Sequence, residues 1–430
     1  MFHNFTSYLY LSFYIIVWLV VCYNYYKKVK LSSGFIVIGS YLVYAILASL
    51  LYLDSFLGKK YDDLGLFSFL YLFVMLYMFL TPVFKFEKAN VLRIRKPNDQ
   101  IVQLILTLYA ISAMIMLPNI ISSMREGLTL LMLEASGGME LYEAAHENYV
   151  KRTSGVSGIY GLFSIFYNTF SDVSKFIFFY YLTMNNKKKF MVILFCFVIF
   201  IDLLYPISKG GRTDVIMNLF SVLMAMTLFY PFYSKLSRKI IKRCAAIVLI
   251  IVAIPFMSLT ISRFGESSSG TSGGMLSYAG QAPLNFNINA LDAGGTRNGD
   301  RTINLFKQFF IDDMPEDVGE VRYKYKHLKM DDSIFSTYVG DFVLDFGPTG
   351  AFLIFVCLSL FFYNKIRIVR KTTSFRTLLL VYFILCVSMH GGMYLFNYSF
   401  LRNLNILAFI FIYILVGAFP NPRKEYLYKL

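Results

Sequence analysis

Long apolar stretches separated by short polar ones recur along the whole of this 430-residue chain. Runs of roughly 18 to 25 apolar residues match the length at which a helix crosses the hydrocarbon core of a bilayer. About eleven runs fit this template. They lie near 5–26, 33–53, 65–84, 99–119, 157–183, 190–207, 214–233, 244–261, 338–363, 376–396 and 401–419. The pattern predicts an all-α polytopic integral membrane protein, read as a single transmembrane domain over 1–430. The first run has no basic residue before it, exceeds a signal-peptide core and lacks a small-x-small cleavage site. It is read as a retained span.

The polar breaks alternate in charge. Lys27, Lys28 and Lys30 follow the first run, and Lys85, Lys88, Arg93, Arg95 and Lys96 follow the third. Lys187, Lys188 and Lys189 follow the fifth, and Lys235, Arg238, Lys239, Lys242 and Arg243 the seventh. Lys365, Arg367, Arg370, Lys371 and Arg376 follow the ninth, and Arg423 and Lys424 the last. Basic connections are retained on the cytoplasmic side, so the N-terminus is expected outside and the C-terminus inside. Two long external loops then remain. Loop 120–156 carries Glu134, Glu140, Glu143 and Glu147, with short amphipathic helices expected at 122–134 and 139–150, joined at Gly137-Gly138. Loop 262–337 opens with GESSSGTSGGM (265–275), flexible by composition, and continues as a mixed stretch expected to fold over the membrane surface. Long outer loops and short basic inner ones place recognition or chemistry on the outer face.

Composition agrees with many membrane spans: 57% of residues are hydrophobic, 16% are charged and mean hydropathy is +0.57. The net charge of +15 is the topology signal just described, so no nucleic-acid partner is expected. Cys22, Cys196, Cys244, Cys357 and Cys386 form no C-x-x-C pair, and His3, His146, His327 and His390 have no ligand spacing. Neither a disulfide framework nor a metal centre is implied. Abundant Lys, Asn, Ile, Phe and Tyr fit an AT-rich bacterial genome.

One short stretch breaks the charge rule. The turn SKGGRTD (208–214) falls between the sixth and seventh runs, on the outer side, yet holds Lys209 and Arg212. Both cations can snorkel to lipid headgroups. Alternatively, Gly210 and Gly211 let backbone approach a ligand closely, and Thr213 or Asp214 caps the next helix. Its free N–H groups then join a flexible cation and an arginine fork in an anion site. A lipid-linked phosphate is the natural anion at that depth. Asp214 opposes this mildly or orients Arg212.

The GGRTD turn after a middle span resembles the Wzy-type oligosaccharide repeat-unit polymerases of O-antigen and capsule synthesis. A second stretch, GDFVLDFGPTG (340–350), resembles that family's entry to a late span, and the large outer loop between the two matches in position. The resemblance implies a membrane glycosyltransferase, with a helical architecture related to other polyprenyl-linked (GT-C-like) sugar transferases. Such an enzyme moves a growing glycan from undecaprenyl pyrophosphate onto the next lipid-linked repeat unit, beside a chain-length regulator and a flippase of the same pathway. Donor and acceptor each carry pyrophosphate, so further cations are expected to bind it. Arg263, Arg297 and Arg301 are the candidates besides Lys209 and Arg212; the alternative for each is a solvated loop charge.

Asp341 and Asp345, four apart, share a helical face near the outer end of the ninth run. Asp341 is the candidate general base on the acceptor hydroxyl; the alternative is a capping pair at the water interface. His327 and His390 are lesser base candidates, since a lone His is more often structural. No D-x-D or E-x-D occurs in an outer connection, so a metal-independent reaction without cofactor is expected. Asp172 and Lys175 lie within the fifth run, and an internal ion pair is the plain solution. The rival is a coupling site in a flippase or transporter of the same lipid-linked units, although no internal repeat is visible. An O-antigen ligase would share this layout and differ in acceptor.

Overall fold

The computed structural model describes residues 5–54, 56–61, 63–133, 158–185, 187–208, 212–264, 270–330, 334–395, 398–423 and 425–429. In chain order the helices are α1 (Phe5–Val29), α2 (Ser33–Leu53), α3 (Leu66–Lys88), α4 (Asp99–Leu133), α5 (Ile159–Tyr181), α6 (Lys189–Ser208) and α7 (Arg212–Phe229). They continue with α8 (Lys235–Phe264), α9 (Gly270–Asn285), α10 (Asn304–Gln308), α11 (Val318–Lys324), α12 (Thr337–Lys365), α13 (Phe375–Gly391) and α14 (Asn403–Ala418). The short strands are β1 (Arg93–Arg95), β2 (Thr372–Ser374) and β3 (Tyr426–Tyr428).

A helix stands at each apolar run. Among the described residues, eight are long and apolar enough to cross a membrane, so the chain is an all-α multi-pass membrane protein by length and composition. The other three runs coincide with α5, α8 and α13. Helix α5 carries Ser171, Asp172, Ser174 and Lys175, α8 opens with a cluster of cations, and α13 has only 17 residues.

Three boundaries differ from the hydropathy reading. Helix α4 runs on to Leu133, so 120–133 continues a helix instead of opening a loop. The four glutamates, the Gly137-Gly138 joint and the 139–150 helix lie outside the described residues. Gly270–Met275 is helical as the start of α9, although its composition reads as flexible. The third difference is a break within α12 at Gly347 (φ 72°, ψ 166°), a conformation open essentially to glycine alone. The stretch 348–365 beyond it spans about 27 Å at 1.5 Å per residue, close to a hydrocarbon thickness by itself. The stretch 337–346, with Asp341 and Asp345, is a separate short helix in front of it.

Where hydropathy reads one domain, packing divides the chain into two compact units, Met1–Val91 with Gly273–Leu407 and Leu92–Ser272 with Ala408–Leu430. Hydropathy marks how long a helix is, not which helices touch. The first unit has an aromatic core. Trp18 is fully buried, edge-on to Tyr41 (5.1 Å) and Phe73 (4.9 Å), and Phe79 meets Tyr338 and Phe355 (both 5.6 Å). Such pairs add about 0.5–1.5 kcal/mol each beyond area burial. The stretch after α9 is fastened to this core. Asn287 exchanges two hydrogen bonds with Gly65 (2.7 and 2.8 Å), and the buried Phe286 ring stacks on Tyr71 (6.1 Å). In the second unit β1 pairs antiparallel with β3, Ile94 opposite Leu427, and Lys96 meets Glu425 at 3.1 Å.

Candidate functional site

In the first unit the stretch GGTRNGDRTIN (294–304) coils tightly. Gly294 (φ 79°), Asn298 (φ 53°) and Gly299 (φ 83°) all occupy left-handed backbone space. At Gly299 a Cβ would also come within 2.9 Å of Ile303, so the turn requires glycine twice over.

This coil packs against the broken helix at 337–346. Pro348 has no N–H, so the carbonyl of Leu344, four residues earlier, loses its helical donor. The backbone N–H of Arg297 supplies one, at 2.8 Å. Its side chain continues along the same helix end: Nη2 donates to the Asp341 carbonyl (3.0 Å) and Nε to Asp345 Oδ1 (2.6 Å). The backbone N–H of Thr302 donates to Asp345 Oδ2 (2.7 Å). Both oxygens of Asp345 are thereby engaged, and the guanidinium sits where the helix dipole is negative.

Asp341 is held differently. Its Oδ2 accepts the Leu395 N–H (2.7 Å), while Oδ1 faces Arg301 Nη1 at 3.4 Å and Arg297 Nη2 at 3.6 Å. All four charged groups are buried, Arg297 and Asp345 each with 1% of the surface exposed. Buried charges need partners of this kind, because leaving one alone costs several kcal/mol.

Asp300, between the two arginines, turns the other way. Its Oδ2 accepts from Lys324 Nζ and Tyr325 Oη, both at 2.7 Å, and Lys307 holds Oδ1. Burial pushes this carboxyl up, but the hydrogen bonds from Lys307, Lys324 and Tyr325 together outweigh it and hold Asp300 below the usual carboxylate range. Asn403, at the start of α14, completes the frame by donating to the Thr302 carbonyl (2.9 Å) and accepting from the Leu305 N–H (3.2 Å).

The other sequence candidates fall elsewhere. His327 is exposed on the turn after α11, its ring 6.1 Å from that of Tyr325. His390 is buried near the end of α13 and stacks on Tyr398 at 6.0 Å. Arg212 is the first residue of α7, so Thr213 and Asp214 lie inside its first turn instead of capping it from outside. An acidic residue there suits the helix dipole. The side chain of Arg212, and Lys209, Gly210 and Gly211 entirely, lie outside the described residues. Arg263 lies in the last turn of α8, its side chain also outside them.

The second unit holds a polar cluster of its own. Lys175 Nζ donates to Asn218 Oδ1 (2.6 Å) and Ser171 Oγ (2.8 Å) and lies 3.6 Å from Asp172 Oδ1. Asn218 Nδ2 donates to the Asp202 carbonyl (3.0 Å). The Asp202 carboxylate accepts from Tyr109 (3.0 Å), from Tyr167 and from Ser171 (3.4 Å). The Asp172–Lys175 pair expected from sequence is present, but amide and hydroxyl partners stand closer to the ammonium. The sequence reading passed over Asp202. Its signal was available: it is the single carboxylate in α6, a 20-residue apolar helix.

Comparison with models of protein families, with curated proteins and with solved structures finds no match.

Proposed function

We propose that this chain polymerises lipid-linked oligosaccharide repeat units at the outer face of a bacterial inner membrane. The observation that carries the reading is the buried cluster in which loop cations meet the second of the two resembling stretches. The outer-loop arginines Arg297 and Arg301 meet the aspartates of GDFVLDFGPTG. In the reaction, an acceptor sugar hydroxyl attacks the donor's anomeric carbon. The bond from that carbon to the pyrophosphate oxygen breaks, undecaprenyl pyrophosphate leaves with the electron pair, and a base takes the hydroxyl proton.

Asp341 is that base in this reading. Its 3.4 Å contact with Arg301 is looser than the 2.6 Å bond between Arg297 and Asp345. An incoming diphosphate competes for Arg301 and so frees Oδ1 of Asp341 to accept the hydroxyl proton. Arg297 keeps the structural task. Lys209, Arg212 and Arg263 remain phosphate-binding candidates, and His327, exposed, remains a second base candidate. Each well-placed cation facing the leaving group is worth roughly 3 kcal/mol of barrier.

The topology in this reading is eleven spans, N-terminus outside and C-terminus inside. The β1–β3 pairing supports it, because residues 93–95 and 426–428 must lie on one side of the membrane. The number of crossings between them is therefore even. Five of the eight clear spans lie in that interval, so an odd number of α5, α8 and α13 must also cross. All three crossing gives eleven in total.

The test is the surface glycan of a host lacking the chain, complemented with variants at matched protein level. Arg212→Ala abolishes polymer and leaves single repeats on the carrier. Arg212→Lys is severely impaired because it keeps charge but loses the bidentate fork. Lys209→Ala is milder. Full polymer with Arg212→Ala would remove the turn from the site.

A second reading, a transporter of the same units, draws on the buried Lys175 and Asp202 within α5 and α6. The deletion separates the two: loss of a polymerase leaves one repeat transferred, whereas loss of a transporter leaves none.

A further inference from the structure

The stretch after α9 carries one apolar edge that the proposed reaction does not use. Residues 303–311 read INLFKQFFI. Main-chain bonds keep the stretch helical or nearly so throughout: Lys307 N–H reaches the Ile303 carbonyl at 3.2 Å, and Phe310 and Ile311 N–H reach that of Lys307 at 2.9 and 3.0 Å. The residues at its end face outward, with Phe309 74% and Phe310 88% exposed. Two adjacent phenylalanines at such exposure are costly in water, and a soluble surface rarely keeps them.

Their position identifies what covers them. Asn403 ties both Thr302 and Leu305 to the start of α14, and Leu395, after α13, donates its N–H to Asp341. The stretch therefore stands beside the turn that joins two apolar helices, at the level where those helices leave the hydrocarbon. Leu401, in that same turn, is 73% exposed. The next residues after Ile311 are Asp312 and Asp313, both exposed. Carboxylates resist hydrocarbon, whereas aromatic rings favour the headgroup boundary.

We infer that Phe309, Phe310 and Ile311 form an interfacial anchor, inserted at the headgroup–acyl boundary of one leaflet, with Asp312 and Asp313 held in water. The occupant of the apolar edge is the bilayer itself. The anchor pins the stretch flat on the membrane and holds the Arg297–Asp345 clamp at headgroup depth. It stands without the polymerase reading, because it requires only that α12, α13 and α14 lie in a membrane.

The test uses the full chain in vesicles of phosphatidylcholine and phosphatidylglycerol. The chain has one tryptophan, Trp18, fully buried in the aromatic core. Phe310→Trp adds a second, and subtraction of the parent spectrum isolates its emission. Ile311→Trp is the second probe, at a half-exposed side chain beside the almost fully exposed Phe310. Glu316→Trp is the water-facing control. The added emission at 310 or 311 should lose most of its intensity in lipid brominated near the headgroup end of the acyl chains. Aqueous iodide should quench it far less than the control. Emission open to iodide and indifferent to brominated lipid at both positions would overturn the inference and leave the edge to a protein partner.

Discussion

The two units solve the same problem, a buried charge in an apolar setting, in opposite ways. In the first unit Arg297 and Asp345 are 48 residues apart in sequence and belong to different elements. Their bonds join a coil to a broken helix, and main-chain groups of Leu344, Asp341 and Thr302 take part. In the second unit Lys175, Asp202 and Asn218 sit inside unbroken helices, and their partners are mostly hydroxyls and amides of neighbouring helices. The first arrangement repairs backbone that Gly347 and Pro348 leave unsatisfied, so it is required for the local fold. The second also supplies one missing donor, because Pro206 takes the helical partner from the Asp202 carbonyl and Asn218 Nδ2 replaces it, but that bond comes from a neutral amide and no ion pair takes part in it. Loss of a charge should therefore cost more in the first unit than in the second.

The largest effect is expected at Arg297. Arg297→Ala removes the Asp345 partner and the bond to the Asp341 carbonyl together. It leaves buried carboxylates, a loss of roughly 3–5 kcal/mol. The variant should accumulate poorly and aggregate at a much lower temperature in detergent. Arg297→Met combined with Asp345→Leu should recover part of the loss, because no lone charge remains. Equal stability of Arg297→Ala and the parent would end the claim that this pair is a clamp.

Next in size is Gly347→Ala. A Cβ at 347 meets only Thr296 Cγ2, at an ordinary 3.6 Å, so space is not the obstacle. The penalty is the backbone conformation alone, about 1–3 kcal/mol. A thermal shift in detergent measures it. A loss well above that range would mean that the break does more than turn the chain.

Lys175→Met should be milder. Hydrogen bonds between membrane helices average roughly 0.6 kcal/mol, so losing the bond to Asn218 on α7 and the one to Ser171 within α5 costs about 1–2 kcal/mol, while the buried Asp202 keeps its hydroxyl donors Tyr109, Tyr167 and Ser171. If Lys175→Met proves as damaging as Arg297→Ala, the contrast between the units fails. A transporter's coupling site would then be the better account of the cluster.

How far sequence reached follows the same division. Helix positions were legible because a span is written locally, in about twenty consecutive apolar residues. The pair at 172 and 175 was legible because three residues apart is a fixed helical distance. The Gly347-Pro348 break was visible as letters, but apolar residues continue on both sides, so hydropathy ran through it. Arg297 with Asp345 was not legible, because no local spacing links a coil to a helix 48 residues on. Nor was the burial of Arg297 and Arg301, which are not solvated loop charges. That burial follows from how Gly294, Asn298 and Gly299 bend the coil. Asp202 was legible in principle as a lone carboxylate in an apolar run.

The smallest effect expected is one of pH, and it is confined to the stretch 294–330. The folded state holds Asp300 below the usual carboxylate range through Lys307, Lys324 and Tyr325. A carboxyl lowered by folding contributes stability that is complete above its unfolded value, about 3.9, and is lost as pH falls through the lower folded value. Lys324 is the opposite case. Its hydrogen bond to Asp300 raises it, so its share is complete below the unfolded value of about 10.4 and is lost as pH rises through the folded one. Lys324 is half exposed, so solvent screens most of that share. The stretch 294–330 should therefore be firmest between these limits and loosen first on the acid side, through Asp300. Amide hydrogen exchange at 297–304 should speed up as pH falls below about 4, after correction for the intrinsic rate. Asp300→Asn keeps the shape but cannot gain or lose the proton, so its acid limb should be flat. An unchanged acid limb in Asp300→Asn would assign the loosening to another carboxylate and leave Asp300 as a packing residue.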